Sequence, residues 1–122
     1  MVRRQLGQLE AEVLAALAAA DGHLSPAEIR ARLDGEPAYT TVNTVLFRLY
    51  DKRLVTRERQ GRFFTYRLAV DESRLVADRM HDHLRYASDP SGVLSRFVQT
   101  LSSEEERLLR SILGRDGLGP GA

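Results

Sequence analysis

The sequence predicts a mainly α-helical fold that contains one small β-hairpin. Three observations lead to this prediction. Three amphipathic helix patterns follow one another up to about residue 52. Two short runs of branched and aromatic residues, separated by a glycine turn, come directly after them. Beyond residue 70 only helical patterns remain, and they display more apolar surface than so short a segment can cover by itself.

The first two helices are marked by their ends. An apolar pattern over residues 9–20 stops at an Asp-Gly pair, which is typical of a helix terminus. The second helix begins at Ser25, which can cap it, while Pro26 takes the first helical position and Glu28 closes a capping box. An Asp-Gly-Glu-Pro run ends this helix at residues 34–37.

The third helix, predicted over residues 40–52, has an apolar and a polar face. The apolar side carries Val42, Val45, Leu46, Leu49 and Arg53. The polar side carries Thr40, Asn43, Thr44, Phe47, Arg48 and Asp51. Such residues can simply cap the helix or face solvent. Threonine and asparagine are weak helix formers, however, so several of them on one exposed face cost helix stability, and contact with DNA is the preferred interpretation. Their hydroxyl and amide groups suit hydrogen bonding to the base edges and phosphates of DNA.

A two-stranded hairpin is predicted over residues 54–59 and 62–68, with Gln60-Gly61 as its turn. Seven basic and two acidic side chains lie between residues 43 and 67, a net +5 in a chain whose formal charge is +1. Positive charge this concentrated indicates a polyanionic partner, and DNA is the leading candidate.

Individual hairpin residues have competing interpretations. Arg59 and Arg62 are predicted to contact phosphates, whereas Arg57 is left open between a phosphate contact and a solvated charge that protects a sheet edge. Phe47 lies on the polar helix face, where it can pack under the hairpin or meet a thymine methyl group. Packing against Phe63 or Phe64 is the preferred interpretation.

Three helices closed by a hairpin have the order of a winged helix-turn-helix domain, with a generic small α+β core as the alternative. The short turn between helices two and three and the basic hairpin favour the winged helix. We therefore predict a winged-helix DNA-binding domain over residues 1–70, a helical dimerisation region over 71–115 and a flexible tail over 116–122.

The dimerisation region is predicted to contain a helix over residues 71–87, a second beginning at Asp89-Pro90, and a third after a capping box at residues 102–105. Its predicted dimer contacts are Leu75, Met80, Leu84, Val93, Leu94, Phe97, Val98, Leu101, Leu108, Leu109 and Ile112. A segment of this length rarely forms its own core, so a homodimer is expected, with packing back onto the winged domain as the alternative.

Composition excludes several other classes of protein. The chain has no cysteine, so disulfides and thiolate metal sites are ruled out. No apolar run is long enough to span a membrane, and the expected location is cytoplasmic. His81 and His83 point to different sides of a helix and are not expected to share a metal ion. No catalytic constellation is evident, so neither enzymatic activity nor a cofactor is expected.

Several segments resemble the penicillinase and methicillin-resistance repressor family (BlaI/MecI/CopY type). Residues 39–49 match its recognition helix, 61–66 its wing, 9–14 its opening helix and 101–113 its last helix. The resemblance implies a dimeric transcriptional repressor that binds a pseudo-palindromic double-stranded DNA operator. By matching position, the implied DNA contacts are Thr40, Thr41, Asn43, Thr44 and Arg48 in the helix, with Arg59 and Arg62 at the wing.

The chain also departs from that family's pattern. β-Lactam-responsive members are cut at an Asn-Phe bond by a membrane-linked protease, whereas the matching pair here is Arg96-Phe97, so a regulatory protease would need a different specificity. Copper-responsive members carry a Cys-x-Cys pair that this chain lacks. The alternative function is a winged-helix adaptor that binds proteins and no DNA.

Overall fold

The computed structural model describes residues 4, 5 and 7–115, so the predicted tail at 116–122 lies outside the described residues. The chain divides into two compact units, Met1–Asp78 and Arg79–Ala122. Its elements are α1 (Gln8–Ala19), α2 (Pro26–Ala31), α3 (Tyr39–Asp51), β1 (Val55–Gln60), β2 (Phe63–Leu68), α4 (Glu72–Arg85), α5 (Pro90–Thr100) and α6 (Ser103–Arg115).

The core of the first unit is built from the apolar faces of α1, α2 and α3, closed by the hairpin. Its buried members are Val13, Leu14, Leu17, Leu24, Ile29, Leu33, Val42, Val45, Leu46, Leu49, Val55 and Tyr66. The apolar residues of α3 occur at helical spacing, so one side of this helix is buried and the opposite side remains in solvent. The core therefore fixes which face of α3 a partner can reach.

The predicted capping box of α2 is confirmed. The backbone N–H of Glu28 donates to Ser25 Oγ at 3.1 Å, and the backbone N–H of Ser25 donates to Glu28 Oε1 at 2.9 Å. The bond from the Ser25 N–H to the carboxylate, followed by the Ser25 hydroxyl, holds the pKa of Glu28 below its ordinary value, because both favour the carboxylate form. The helix ends at Ala31, earlier than the sequence predicts, although Leu33 still reaches the core.

The end of α3 differs from the prediction at Arg53. The helix stops at Asp51, and Arg53 has a left-handed φ of 64° and an exposed side chain. The prediction that Arg53 continues the apolar face is wrong, because helical spacing no longer applies beyond the last turn. Leu54, the next residue, is partly buried instead and packs against the core.

The hairpin is confirmed, with its turn displaced by one residue. The strands pair antiparallel from Val55 opposite Leu68 to Gln60 opposite Phe63, which leaves Gly61 and Arg62 as the turn. Gly61 has a φ of 62° and Arg62 has no positive φ, as in the two-residue turns that require glycine first.

A third strand segment of one residue completes the sheet. The N–H of Leu24 donates to the carbonyl of Tyr66 at 2.8 Å, and the N–H of Tyr66 donates to the carbonyl of Leu24 at 2.7 Å. The loop between α1 and α2 is thus joined to the wing. The sequence did not predict this pairing.

Helices α4, α5 and α6 are amphipathic, yet within residues 72–115 none of their side chains is buried. Asp89 caps α5 by accepting from the N–H of Gly92 at 3.1 Å, and a side chain at Gly92 would collide with this carboxylate. The predicted capping box of α6 is confirmed by reciprocal bonds between Ser102 and Glu105 at 2.8 and 3.1 Å. Among the described helices, none combines the length and apolar character that a bilayer-spanning segment requires.

Candidate nucleic-acid interface

The solvent-facing side of α3 presents polar side chains in a continuous row. Every residue predicted to contact DNA from this helix is exposed: Thr40, Thr41, Asn43, Thr44 and Arg48. Within the described residues, the side chains of Asn43 and Arg48 form no hydrogen bond or ion pair. An amide and a guanidinium with unused hydrogen-bonding groups on a rigid helix can serve an incoming ligand without first breaking internal bonds.

Thr44 differs from its neighbours because its hydroxyl is already engaged. Thr44 Oγ1 donates to the backbone carbonyl of Thr40 at 2.8 Å, one helical turn earlier. This bond fixes the side-chain rotamer and uses the only hydroxyl proton. What remains for a partner is the methyl group and an acceptor lone pair, so Thr44 suits a thymine methyl or a donor better than a phosphate oxygen.

Phe47 lies on the same outer face and is 64% exposed. The prediction that it packs under the wing against Phe63 or Phe64 is wrong. Tyr50, one turn further along α3, joins Phe64 of the wing through Arg57. Phe47 is therefore left as an apolar contact in the middle of a polar surface.

The wing carries its arginines around a tight turn. Arg59 Nε donates to the carbonyl of Gly61 at 3.2 Å, which holds this side chain near the tip. Arg62 occupies the turn itself and is exposed. The acidic residue of the wing, Glu58, lies 3.6 Å from His23 Nδ1. The tip of the hairpin is therefore basic.

Arg57 has a position that sequence reasoning left open. Its guanidinium carbon lies 4.0 Å from the ring centre of Tyr50 and 4.2 Å from that of Phe64. Strand alternation gives a signal that could have found it, because Val55, Arg57 and Arg59 share one side of β1 and Val55 is buried. That parity directs Arg57 towards α3 rather than away from it.

The predicted dimer contacts fall into two groups by exposure. Seven are exposed: Met80, Val93, Leu94, Phe97, Val98, Leu108 and Ile112. Four are partly buried: Leu75, Leu84, Leu101 and Leu109. Leu75 packs against the core of the first unit, so its apolar surface is partly covered within the chain itself.

Two further predictions concern the C-terminal helices: that the histidines of α4 do not form a metal site, and that Arg96-Phe97 matches the family's cleavage position. Within residues 4, 5 and 7–115, no group of three or more histidine, aspartate or glutamate side chains is arranged to hold a metal ion. His81 and His83 are exposed on α4. The Arg96–Phe97 peptide bond lies inside α5, and both side chains are exposed.

The order of elements, the exposed face of α3 and the basic hairpin together define a winged helix-turn-helix domain with a helical extension. Comparison with known sequences makes this more specific. The chain belongs to the penicillinase repressor family, whose sequence profile matches residues 6–115. This confirms the resemblance seen in the sequence.

One curated relative occurs in two strains of Mycobacterium tuberculosis. The transcriptional regulator BlaI from that organism is 38% identical over 87 residues, which cover 69% of this chain and 63% of the regulator. This chain thus matches less than two thirds of its relative's length. The family and this relative are regulators rather than enzymes, in agreement with the expected lack of catalytic activity.

Solved structures support the fold class. MepR, a transcription regulator of the Staphylococcus aureus multidrug efflux pump MepA, has a TM-score of 0.50 and 22% identity, covering 90% of this chain and 80% of that chain. A point mutant of S. aureus MepR has a TM-score of 0.52 and 21% identity, with the same coverage of 90% and 80%. At this identity the similarity concerns the fold alone.

Proposed function

We propose that this chain is a homodimeric, sequence-specific transcriptional repressor that binds a pseudo-palindromic operator in double-stranded DNA. Residues 1–70 form the DNA-binding domain and residues 71–115 the dimerisation region. Such a partner implies a cytoplasmic location. The observation that carries the proposal is the exposed polar row of α3 beside a basic wing, in a member of a repressor family.

Each side chain has a distinct role in this proposal. Asn43 reads a base edge, since an amide can bond an adenine through two hydrogen bonds. Thr40 and Thr41 meet phosphates or thymine methyl groups, Thr44 meets a thymine methyl group, and Arg48 reaches a guanine or a phosphate. Arg59 and Arg62 hold the phosphates beside the major groove. Occupancy of the operator then blocks RNA polymerase.

The dimer is supported by the exposed apolar side chains of α4, α5 and α6. These helices have no buried residue within the single chain, although each has an apolar stripe. Packing against a second copy of the chain would bury these stripes and remove their apolar surface from water. The two-fold axis of such a dimer would match the two-fold symmetry of the operator. The proposed contacts are the exposed and partly buried residues described above.

Relief of repression requires a signal, and a regulatory protease is one candidate partner. In the family, the bond that such a protease cuts corresponds to Arg96-Phe97. Incubating the protein with candidate proteases and mapping the fragments by mass spectrometry tests this. A cut anywhere but the α5 segment would remove this bond from consideration.

The DNA-binding role is tested with the protein's own upstream DNA, measured by fluorescence anisotropy at two salt concentrations. Binding should weaken steeply with salt, because several phosphates are neutralised in each subunit. Asn43→Ala should relax discrimination at one base pair, at a cost of about 1–3 kcal/mol. Arg62→Ala should weaken binding to all sequences alike and reduce the salt slope by about 1.

Arg74→Ala is the matched control, because Arg74 is exposed on α4 and belongs to neither α3 nor the wing. It should leave both base preference and salt slope unchanged. If Asn43→Ala left the relative affinities for all operator variants unaltered, the base-reading role of Asn43 would be wrong. An adaptor that binds only proteins would show no complex with any duplex.

A further inference from the structure

The guanidinium of Arg57 lies close to two aromatic rings that come from different elements. Tyr50 belongs to the last turn of α3 and Phe64 to β2, at 4.0 and 4.2 Å from the guanidinium carbon. Arg57 itself lies on β1 and is half-buried. The side chain is therefore held at the junction of the helix and the wing.

Cation–π contacts with aromatic rings do not use the N–H donors of a guanidinium, which remain able to bond another partner. Within residues 4, 5 and 7–115, no oxygen atom accepts a hydrogen bond from Arg57 and no carboxylate pairs with it. The rings restrict its rotamers, so little conformational entropy remains to be lost when a ligand binds. A planar fork of unused donors, fixed in place, matches the geometry of a phosphate group.

A second arginine, Arg53, lies at the same junction of helix and wing, in a backbone conformation that is unfavourable for arginine. The N–H of Leu54 donates to the carbonyl of Leu49 at 2.9 Å, and that of Arg53 donates to the carbonyl of Tyr50 at 3.0 Å. This pair of bonds is the Schellman motif, whose left-handed residue is usually glycine. Here it is Arg53, with a φ of 64°. Arginine is unfavourable in this backbone conformation, so its presence there indicates that the positive charge has a function.

Both arginines border one open concavity of about 540 Å³ between the end of α3 and the start of the wing. Its lining consists of Tyr50, Asp51, Arg53, Val55, Thr56 and Arg57. Two guanidinium groups outnumber the single carboxylate, so the concavity is cationic. Tyr50 and Asp51 follow Phe47 and Arg48 by three residues, so the concavity continues the outer face of α3.

We propose that this concavity binds a phosphodiester group of the DNA backbone, with Arg57 as the in-plane fork and Arg53 as a second cation. This inference rests on the proposed function and adds a phosphate contact at the helix–wing junction to those of Arg59 and Arg62. The contacts of Arg57 with Tyr50 and Phe64 also join the wing to α3. In this proposal, a phosphate is bound here only when α3 and the wing are both correctly placed.

The test is a salt titration of the full chain with a fluorescent duplex of arbitrary sequence, because a phosphate contact needs no particular base. The variants are Arg53→Gly and Arg57→Met, with Arg74→Ala as the control. Each of the first two should weaken binding about tenfold. Each should also lower the slope of log affinity against log salt by about 0.9 per subunit. The control should match the parent.

Arg53→Gly separates a DNA contact from damage to the fold. Glycine adopts a φ of 64° without strain, so this variant should unfold about 2–4 °C higher than the parent. A protein that is more stable and yet binds DNA less tightly has lost a contact, not its structure. Thermal unfolding by circular dichroism is measured on the same samples.

The outcomes distinguish the two proposals. If the parent binds no duplex at low salt, the proposed function itself fails. If the parent binds and both variants keep its salt slope, the proposed function stands and the phosphate site is wrong. A reduced slope in only one variant also overturns the site, because both arginines are required to face the same phosphate.

Discussion

Arg4 shows how one residue can join separate elements of a small domain. Its Nε lies 2.7 Å from Glu12 Oε2, and its Nη2 donates to Glu12 Oε1 at 3.0 Å and to the backbone carbonyl of Asp34. The side chains are 15% and 24% exposed. The hydrogen bond from Arg4 holds the pKa of the Glu12 carboxyl below its ordinary value.

This pair gives stability a pH dependence with a defined sign. Because the pKa of Glu12 is lowered on folding, the contribution of Glu12 is fully present above the ordinary glutamate pKa of about 4.3. It is lost as the pH falls below that value through the folded-state pKa. We expect Glu12→Gln to destabilise the protein at pH 7 and to flatten this acid loss, measured by urea unfolding at neutral and acidic pH. Equal acid losses in parent and variant would contradict the assignment.

At the residue scale, the sequence predicted exposure better than contacts. Helical spacing alone predicted that Asn43 and Arg48 are exposed, because the opposite face of α3 is apolar and buried. Strand alternation indicates which side of β1 carries Arg57, but its two ring partners and the exposure of Phe47 were not predictable in this way. They depend on how the wing meets α3 in three dimensions, and spacing within one element carries no information about that.

At the scale of elements, helix caps were the most reliable signal. A capping box is a local arrangement of four residues, so its bonds form wherever the helix begins. The one-residue bridge between Leu24 and Tyr66 was missed because a single paired residue has no periodicity to detect. The turn of the hairpin moved by one residue for a related reason. Either of two placements puts Gly61 in the turn, and only strand pairing selects between them.

The capping box of α6 provides a prediction with a neighbouring control. Ser102→Ala removes the hydroxyl that accepts from the first turn. We expect the free energy of unfolding to fall by about 1 kcal/mol. Ser103→Ala, at the first helical position and outside the capping box, should be nearly neutral or slightly stabilising because alanine favours helix. Urea unfolding measures both, and equal effects would contradict the role of Ser102 as the cap.

At the scale of the whole molecule, the chain has a covered core in one unit and uncovered apolar stripes in the other. The sequence predicted this contrast, because the C-terminal segment has more apolar surface than a segment of its length can cover by itself. It did not predict that Leu75, in the first turn of α4, packs against the core of the first unit. The apolar pattern of a helix does not show which of its residues pack within the chain and which remain exposed.

Association is the property that this contrast predicts. We expect a solution mass of twice 13.7 kDa for the parent. Phe97→Asp should shift the protein towards the monomer, because it places a charge in an apolar stripe. Gln99→Asp, at an exposed polar position of the same helix, is the control and should remain dimeric. Light scattering at micromolar concentration provides the measurement, and a parent mass of 13.7 kDa would remove the dimer.

The pairing of β2 with both β1 and Leu24 has a consequence for solubility. Since β2 has a neighbour on each side, the outer edge of β1 is the long strand edge of the hairpin that no other described residue pairs with. Unpaired edges attract other strands and start aggregates, and charged side chains are a common protection. Arg57, Glu58 and Arg59 lie in sequence along β1. Arg57 and Arg59, which we propose to contact the operator, would therefore also limit the aggregation of molecules that are not bound to DNA.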